Sequence, residues 1–245
     1  MNAFFQLINI IYPRRCHICS CFLPEDKEYN LSHYICDNCN IGLTPITNPI
    51  CSICGLPFAV SAGQEHLCET CLRKNPWYDL ARAPYLYSGL IAKTIQRFKY
   101  KSGTYLAPFF GTLLSAFAKE LIHNPKDITI VPVPLHRRRL RERGFNQSLL
   151  LAKGLASGLG AKLDYLSLIR KRNTRVQTGL GKEERRKNVK NAFSVINQKA
   201  INDKKILMID DVFTTGHTLN ECSRTLKESG ASYIVCLTLA RTSLD

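Results

Sequence analysis

The sequence predicts an α/β protein, a mainly parallel sheet with flanking helices preceded by a small Cys-rich zinc-ribbon region. Three observations predict it. From about residue 77 onward, apolar runs of strand length alternate with helical patterns. The run Ile206–Ile209 ends in two aspartates and a turn rich in Thr and Gly, the layout of a buried parallel strand feeding a helix. Ahead of these, eight Cys fall into four CxxC pairs, a spacing that suits zinc.

The chain has 245 residues, room for one ordinary domain and a small one. The expected division is 1–76, an N-terminal helix and double zinc ribbon, and 77–245, the α/β domain. A hydrophobic fraction of 45% is that of a globular protein. Lys and Arg number 34 against 19 Asp and Glu, a formal net charge of +15, which implies anionic partners without choosing among phosphates, nucleic acid and anionic lipid. The first fifteen residues hold a short apolar run, read as a helix Phe4–Ile11 ended by Pro13. The run lacks a basic n-region and a small-residue cleavage site, and it is too short to span a bilayer. The expectation is a cytoplasmic protein with no transmembrane segment, in which Phe4, Phe5, Ile8 and Ile11 could at most touch a membrane surface.

The pairs are Cys16/Cys19, Cys36/Cys39, Cys51/Cys54 and Cys68/Cys71. The two-residue gap lets both thiolates of a tight knuckle point at one ion, and two knuckles complete a tetrahedral sulfur site that favours zinc. Sixteen residues separate the first two pairs and thirteen the last two. Both gaps fit a ribbon, so sequential pairing gives two ribbons, while a crossed pairing is also open. Disulfides fit less well, because nothing suggests secretion, and a redox motif would occur once, not four times. Four thiolates leave no open position for water, so the two Zn²⁺ are structural, and so short a segment needs its metal to fold. Cys21 is spare. Cys222 and Cys236 read as small core residues.

Pro76 and Trp77 mark the boundary. A strand is expected over Ala81–Tyr87, a helix over Ile91–Tyr100, and an amphipathic helix over Leu106–Ile122, ended by Asn124-Pro125. Asp127–Pro134 is the next strand. The run His136–Arg143 follows, with five Arg and one acid, placed at a strand end where it could hold pyrophosphate. Then come a helix Gln147–Gly158 and a strand within Gly160–Leu168. The segment Arg170–Lys190 carries nine Lys and Arg against two Glu and reads as a basic mobile loop followed by a short helix, Lys182–Val189. Strands follow at Ala192–Ile196, at the central motif and at Ser232–Ala240, with Gly230 closing a helix Leu219–Ser229.

The central motif, ILMIDDVFTTGHT (206–218), carries the chemistry. Its Thr/Gly turn at a helix N-terminus offers N–H groups, hydroxyls and a positive dipole end to an anion. Asp210 and Asp211 cannot serve a phosphate, but they accept hydrogen bonds from hydroxyls or hold a hard divalent cation. A diol site beside a monophosphate site describes a ribose 5-phosphate.

This stretch resembles the phosphoribosyl pyrophosphate (PRPP) motif of the type I phosphoribosyltransferases. The full chain resembles the ComF family of phosphoribosyltransferase-like proteins with a double zinc ribbon in front, on the strength of YPRRCHIC (12–19), the Cys pairs, FKYKSG (98–103), VPVPLHRRRLRERGFNQ (131–147), RKRNTRVQTGLGKEERRKNVKNAF (170–193) and the central motif. The resemblance implies the type I phosphoribosyltransferase fold and an association with DNA uptake and natural transformation. It implies Mg²⁺ with PRPP as substrate, Asp210 and Asp211 on the ribose hydroxyls, and Val212, Phe213, Thr214, Thr215, Gly216, His217 and Thr218 around the 5-phosphate. Pro132, Val133, Pro134 and His136, with Arg137, Arg143 and Lys99, would face the pyrophosphate, and Arg170, Gln177 and Arg185 would reach in from a closing lid. Nothing in the sequence identifies the acceptor or the oligomeric state, a dimer being allowed.

Two functions from different classes follow. One is a Mg-dependent phosphoribosyltransferase with an unknown acceptor. The other is a catalytically inactive PRPP-sensing or scaffold module whose basic surface binds single-stranded DNA and competence partners. The first needs Asp210 and Asp211. The second predicts salt-dependent DNA affinity that survives their loss, although the Tyr and Phe needed for base stacking are not clustered with the Arg runs.

Overall fold

A computed structural model of the chain describes residues 12–24, 31–58, 64–173 and 182–243, with the side chains of 182, 183, 185 and 186 left aside. The expected helix Phe4–Ile11 and Gln177 lie outside the described residues, as does the side chain of Arg185. The main sheet is parallel throughout, in the order β1 (Leu80–Arg82), β8 (Tyr233–Arg241), β7 (Lys205–Phe213), β3 (Ile128–Pro132) and β4 (Lys162–Leu163), with β2 (Tyr85–Leu86) continuing along β8. β7 and β8 are its centre. From Ile206 to Ile209 and from Ile234 to Ala240 they are buried on both faces, as their unbroken apolar runs require.

The helices lie on two sides. On one, α3 (Gly89–Phe98), α4 (Ala107–Leu121) and α6 (Gln147–Leu159) cover Leu207, Ile209 and Leu237; on the other, α8 (His217–Glu228) covers Ile206, Met208 and Cys236. α4 begins with Pro108 in its first turn, where the missing N–H costs nothing, and buries Phe109, Phe110, Leu113 and Leu114. α4 and α6 meet at Gly111 and Gly154, where a Cβ on Gly154 would stand 2.9 Å from Gly111 Cα. Asn146 caps α6, its side chain accepting the Ser148 N–H at 3.1 Å.

Several expectations shift. The strand read over Ala81–Tyr87 is two pieces, β1 and β2, because Pro84 between them has no N–H for a ladder. The Arg-rich run is a helix, α5 (Arg137–Arg143), capped by His136, which accepts the Arg138 N–H at 3.2 Å, and closed by Gly144 at φ 83°. The strand expected within Gly160–Leu168 is β4, and its end passes into β5 (Leu168–Arg170). β5 pairs antiparallel with β6 (Phe193–Val195), outside the main sheet. The short helix is observed as α7 (Lys182–Val189).

The N-terminal segment does not pack alone. Cys16, Ile18, Ile35, Cys39 and Leu43 belong to the same apolar cluster as α3, α4 and α6; Cys51, Cys54, Leu56, Cys68 and Cys71 belong to the cluster of α8. One half of the segment thus lies on each side of the sheet. Among the described residues, no helix is long and apolar enough to cross a membrane.

Candidate active site and zinc centres

The Cys pairs close sequentially. The sulfurs of Cys16, Cys19, Cys36 and Cys39 lie within 4.8 Å of one another, and so do those of Cys51, Cys54, Cys68 and Cys71, which removes the crossed pairing. Cys19 Sγ and Cys36 Sγ stand 3.7 Å apart, as do Cys54 Sγ and Cys68 Sγ. Four sulfurs about 2.3 Å from one ion stand about 3.8 Å apart, so both sets fit a tetrahedral zinc and no pair is a disulfide. Backbone donors support the thiolates: Cys36 N–H reaches Cys16 Sγ at 3.5 Å, and Cys68 N–H reaches Cys51 Sγ at 3.3 Å.

The two centres are a repeat. In the first, Cys16 N–H donates to Cys21 O at 2.8 Å and Ser20 N–H to Cys16 O at 2.8 Å. In the second, Cys51 N–H donates to Leu56 O at 2.7 Å and Gly55 N–H to Cys51 O at 2.9 Å. Ser20 and Gly55 take the same left-handed turn, φ 66° and 67°. The second half of each ribbon is a short helix capped by its Cys, α1 (Asp37–Ile41) after Cys36 and α2 (Glu69–Arg73) after Cys68.

The candidate active site lies where the strand connections diverge. β3 leads through α5 and α6 to β4 on one flank, and β7 leads through α8 to β8 on the other. The carboxyl ends of β3 and β7 therefore lie at the switch point where open parallel sheets place their ligands. Val133 N–H joins the two ends through Ile209 O at 2.9 Å. Asn146 Nδ2 donates to Val133 O at 3.1 Å, tying the cap of α6 to the end of β3.

Asp210 and Asp211 are the sixth and seventh residues of β7, since the strand runs on through Val212 and Phe213. Their carboxyls meet different partners. Asp210 accepts from Ser148 Oγ at 2.9 Å and from the Asp211 N–H at 2.9 Å. Burial, then the neighbouring charge of Asp211, raises its pKa to about 7, and Ser148, the Asp211 N–H and Lys99 hold the rise back. Asp211 faces Lys99 Nζ at 3.3 Å. Arg143, half-buried, is also close. Burial and Arg139 push its pKa down, while Asp211 and Tyr100 push it up. Lys99 and Asp211 thus offset each other's charge within the site.

The turn Thr214–Gly216 follows. Gly216 caps α8 at φ 71° and rests on the Phe213 ring, where a Cβ would meet Cζ at 2.6 Å, so only glycine fits. Thr215 Oγ1 and His217 Nδ1 are 3.0 Å apart, and α8 begins at His217, two residues earlier than expected. Val212 and Phe213 are strand residues, so only Thr214–Thr218 of the expected phosphate loop form the turn and the start of α8.

Pro132 ends β3, and Val133, Pro134 and His136 lead from it into α5. Arg137 is exposed at the start of α5. Arg170 is on β5 rather than on a lid: its guanidinium lies 5.3 Å over Phe193, and burial lowers its pKa. Sequence reasoning missed Ser148, although its place in the first turn of a helix after a strand end was a signal. It also missed a cleft of ≈ 870 Å³ beside the turn, lined by Trp77, Arg73, Lys74, Lys187, Lys190, Gly216 and Asn220.

Comparisons with known proteins agree with this fold. A double zinc ribbon domain model matches residues 7–77, and a phosphoribosyl transferase domain model matches residues 146–243. The sheet, its helices and the ribbons thus constitute a phosphoribosyltransferase-type fold preceded by a double zinc ribbon. Competence protein F of Haemophilus influenzae is 31% identical over 226 residues, covering 86% of this chain and 99% of that protein. Competence protein ComFC of Bacillus subtilis is 32% identical over 227 residues, covering 89% and 86%. DNA utilization protein YhgH of Escherichia coli is 32% identical over 220 residues, covering 86% and 92%.

Proposed function

The chain belongs to the ComF family, and on that premise we propose that it binds PRPP beyond β3 and β7 and transfers the ribose 5-phosphate to an acceptor, releasing pyrophosphate. The observation that carries this reading is the pairing of two carboxylates with an anion-binding turn at one strand end, Asp210 and Asp211 followed by Thr214–Thr218.

The C1–oxygen bond breaks, its electron pair leaves with pyrophosphate, and an oxocarbenium-like sugar remains until the acceptor's lone pair closes on C1. Asp210 and Asp211 accept the ribose hydroxyls and stabilise the developing positive charge. The N–H groups and hydroxyls of Thr214–Thr218 hold the 5-phosphate. Lys99 exchanges Asp211 for a pyrophosphate oxygen, and Arg143 faces the same charge. Pro132, Val133, Pro134, His136 and Arg137 form the turn beside it; Gln177 and Arg185 would reach the substrate from the basic segment after β5, while Arg170 stays on β5 over Phe193. The oxygen donors of Asp210 and Asp211 suit Mg²⁺, which would screen pyrophosphate charge when bound. We take 1–76 and 77–245 as the chemical division of the chain and the cytoplasm as its compartment.

A second reading, a PRPP-sensing scaffold for single-stranded DNA and DNA-uptake partners, is favoured by one observation. The cleft beside the turn places five cationic side chains near the half-exposed Trp77: Lys74, Lys187 and Lys190, with Arg73 paired to Glu69 and Arg224 to Glu221. Pyrophosphate release from Mg–PRPP, followed with nucleobases, amines and oligonucleotides as acceptors, separates the two. Release that stops in Asp210→Asn/Asp211→Asn supports the transferase. PRPP binding without release under any acceptor, with salt-dependent DNA binding intact in the double variant, supports the scaffold.

A further inference from the structure

Arginines from the α/β part of the chain grip both zinc knuckles in the same way. In the first knuckle, Arg97 donates from Nη1 to Ile18 O at 2.9 Å and from Nη2 to His17 O at 3.2 Å. In the second, Arg82 donates from Nη1 to Ile53 O at 3.2 Å and from Nη2 to Ser52 O at 3.0 Å. The acceptors are the carbonyls of the two residues between the cysteines in each case. The second knuckle has another clamp, for the buried Arg241 donates from Nη1 to Cys54 O. A zinc with four thiolates is a net anion, so guanidinium groups are matched to it in charge as well as in hydrogen bonding.

Two of these arginines, Arg97 and Arg241, lead to opposite ends of the candidate active site. Arg97 is in the last turn of α3, two residues before Lys99, which pairs with Asp211. Arg241 lies 4.7 Å over the Phe213 ring and is its partner in the β7–β8 ladder. That ring is the floor under Gly216. Next to Arg241, Thr242 N–H donates to Phe213 O at 3.0 Å and Thr242 Oγ1 to Thr214 O at 3.4 Å.

We propose that Arg97 and Arg241 are positioning residues that tie each zinc centre to one half of the site. The first knuckle, through Arg97, sets Lys99 on the pyrophosphate side. The second, through Arg241 and Phe213, sets the Thr214–Gly216 turn on the 5-phosphate side. The assignment of the two halves rests on the PRPP reading above; the physical coupling does not. Loss of one zinc then disables one half of the site instead of merely loosening the fold.

The test uses Arg97→Lys and Arg241→Lys in the zinc-loaded full chain, with metal content, hydrogen exchange, and titrations with pyrophosphate and with ribose 5-phosphate. Lys keeps the charge but cannot reproduce the guanidinium fork. Both variants are expected to retain two zinc ions per chain. Arg241→Lys is expected to speed exchange at 213–218 and weaken ribose 5-phosphate about tenfold, the loss of one charge-assisted hydrogen bond, while pyrophosphate binding holds. Arg97→Lys is expected to speed exchange at 99–106 and weaken pyrophosphate alone. Phe213→Leu, which leaves both knuckles intact, is expected to repeat the Arg241→Lys pattern should that variant not fold. Zinc-loaded variants with wild-type exchange in both segments would overturn the coupling, and so would equal loosening of both segments by either variant. A wild-type chain that binds neither ligand, with segment-specific exchange changes in the variants, would refute the PRPP reading and leave the coupling standing.

Discussion

Replacing Asp210 by Asn is expected to stabilise the ligand-free protein at pH 8, leave it nearly unchanged at pH 5, and abolish PRPP binding at both. The carboxyl titrates at about 7 in the fold against 3.8 for an ordinary Asp, because burial and Asp211 disfavour its charge. Between those values the folded chain holds a proton that the unfolded chain has released. Stability therefore falls as pH rises through that window, and the full penalty applies above about 7. Three pH units at about 1.4 kcal/mol each set a ceiling of about 4 kcal/mol. Asn keeps an oxygen for the Ser148 hydroxyl and the Asp211 N–H, but its amide NH₂ needs an acceptor, a cost of about 1–3 kcal/mol if none is found. The net expectation is a gain of roughly 1–3 kcal/mol at pH 8, a melting shift of about 2–12 °C for a chain of this size. Calorimetric melting of zinc-loaded wild type and variant at the two pH values measures it. An equal shift at both, or a loss at pH 8, would refute the reasoning.

Gly216→Ala combines a left-handed backbone with a Cβ 2.6 Å from Phe213 Cζ; a strain of about 1–2 kcal/mol from the backbone alone moves the turn, and PRPP affinity drops at least tenfold by titration while zinc content holds. Gly154→Ala puts a methyl 2.9 Å from Gly111 Cα and forces α4 from α6, which lowers stability by about 1–3 kcal/mol in urea with PRPP affinity of the folded fraction unchanged. Chelation under reducing conditions removes both zinc ions, and proteolysis then cuts within 12–76 first, because each ribbon needs its metal to hold its knuckles; equal protease resistance with and without zinc would contradict a structural role.

The central motif was legible because its physics is local. Four apolar residues in a row demand two covered faces, and a Thr/Gly turn before a helix offers donors to an anion. Its edges were less so: the helix starts at His217 because Gly216 itself takes the cap, and apolar periodicity registers only from Leu219. The Arg run hid a helix whose signals, His136 before it and Gly144 after it, were outweighed by its charge. Nothing in Ala192–Ile196 tells that β6 runs antiparallel to β5 away from the main sheet, since pairing direction is a tertiary property. Spacing left the zinc pairing open, and three-dimensional proximity closed it. The arginine grips join residues such as His17 and Arg97, or Cys54 and Arg241, that are far apart in the chain, and no local pattern announces them.

The central claim, a PRPP site built on Asp210, Asp211 and Thr214–Thr218, is tested most directly by calorimetric titration of Mg–PRPP into the zinc-loaded protein. The account predicts one micromolar site per chain, tightening as pH rises through about 7 because an ionised Asp210 accepts the ribose hydroxyls more strongly than its neutral acid, and lost in Asp210→Asn/Asp211→Asn. No heat of binding from a folded protein holding two zinc ions would contradict it.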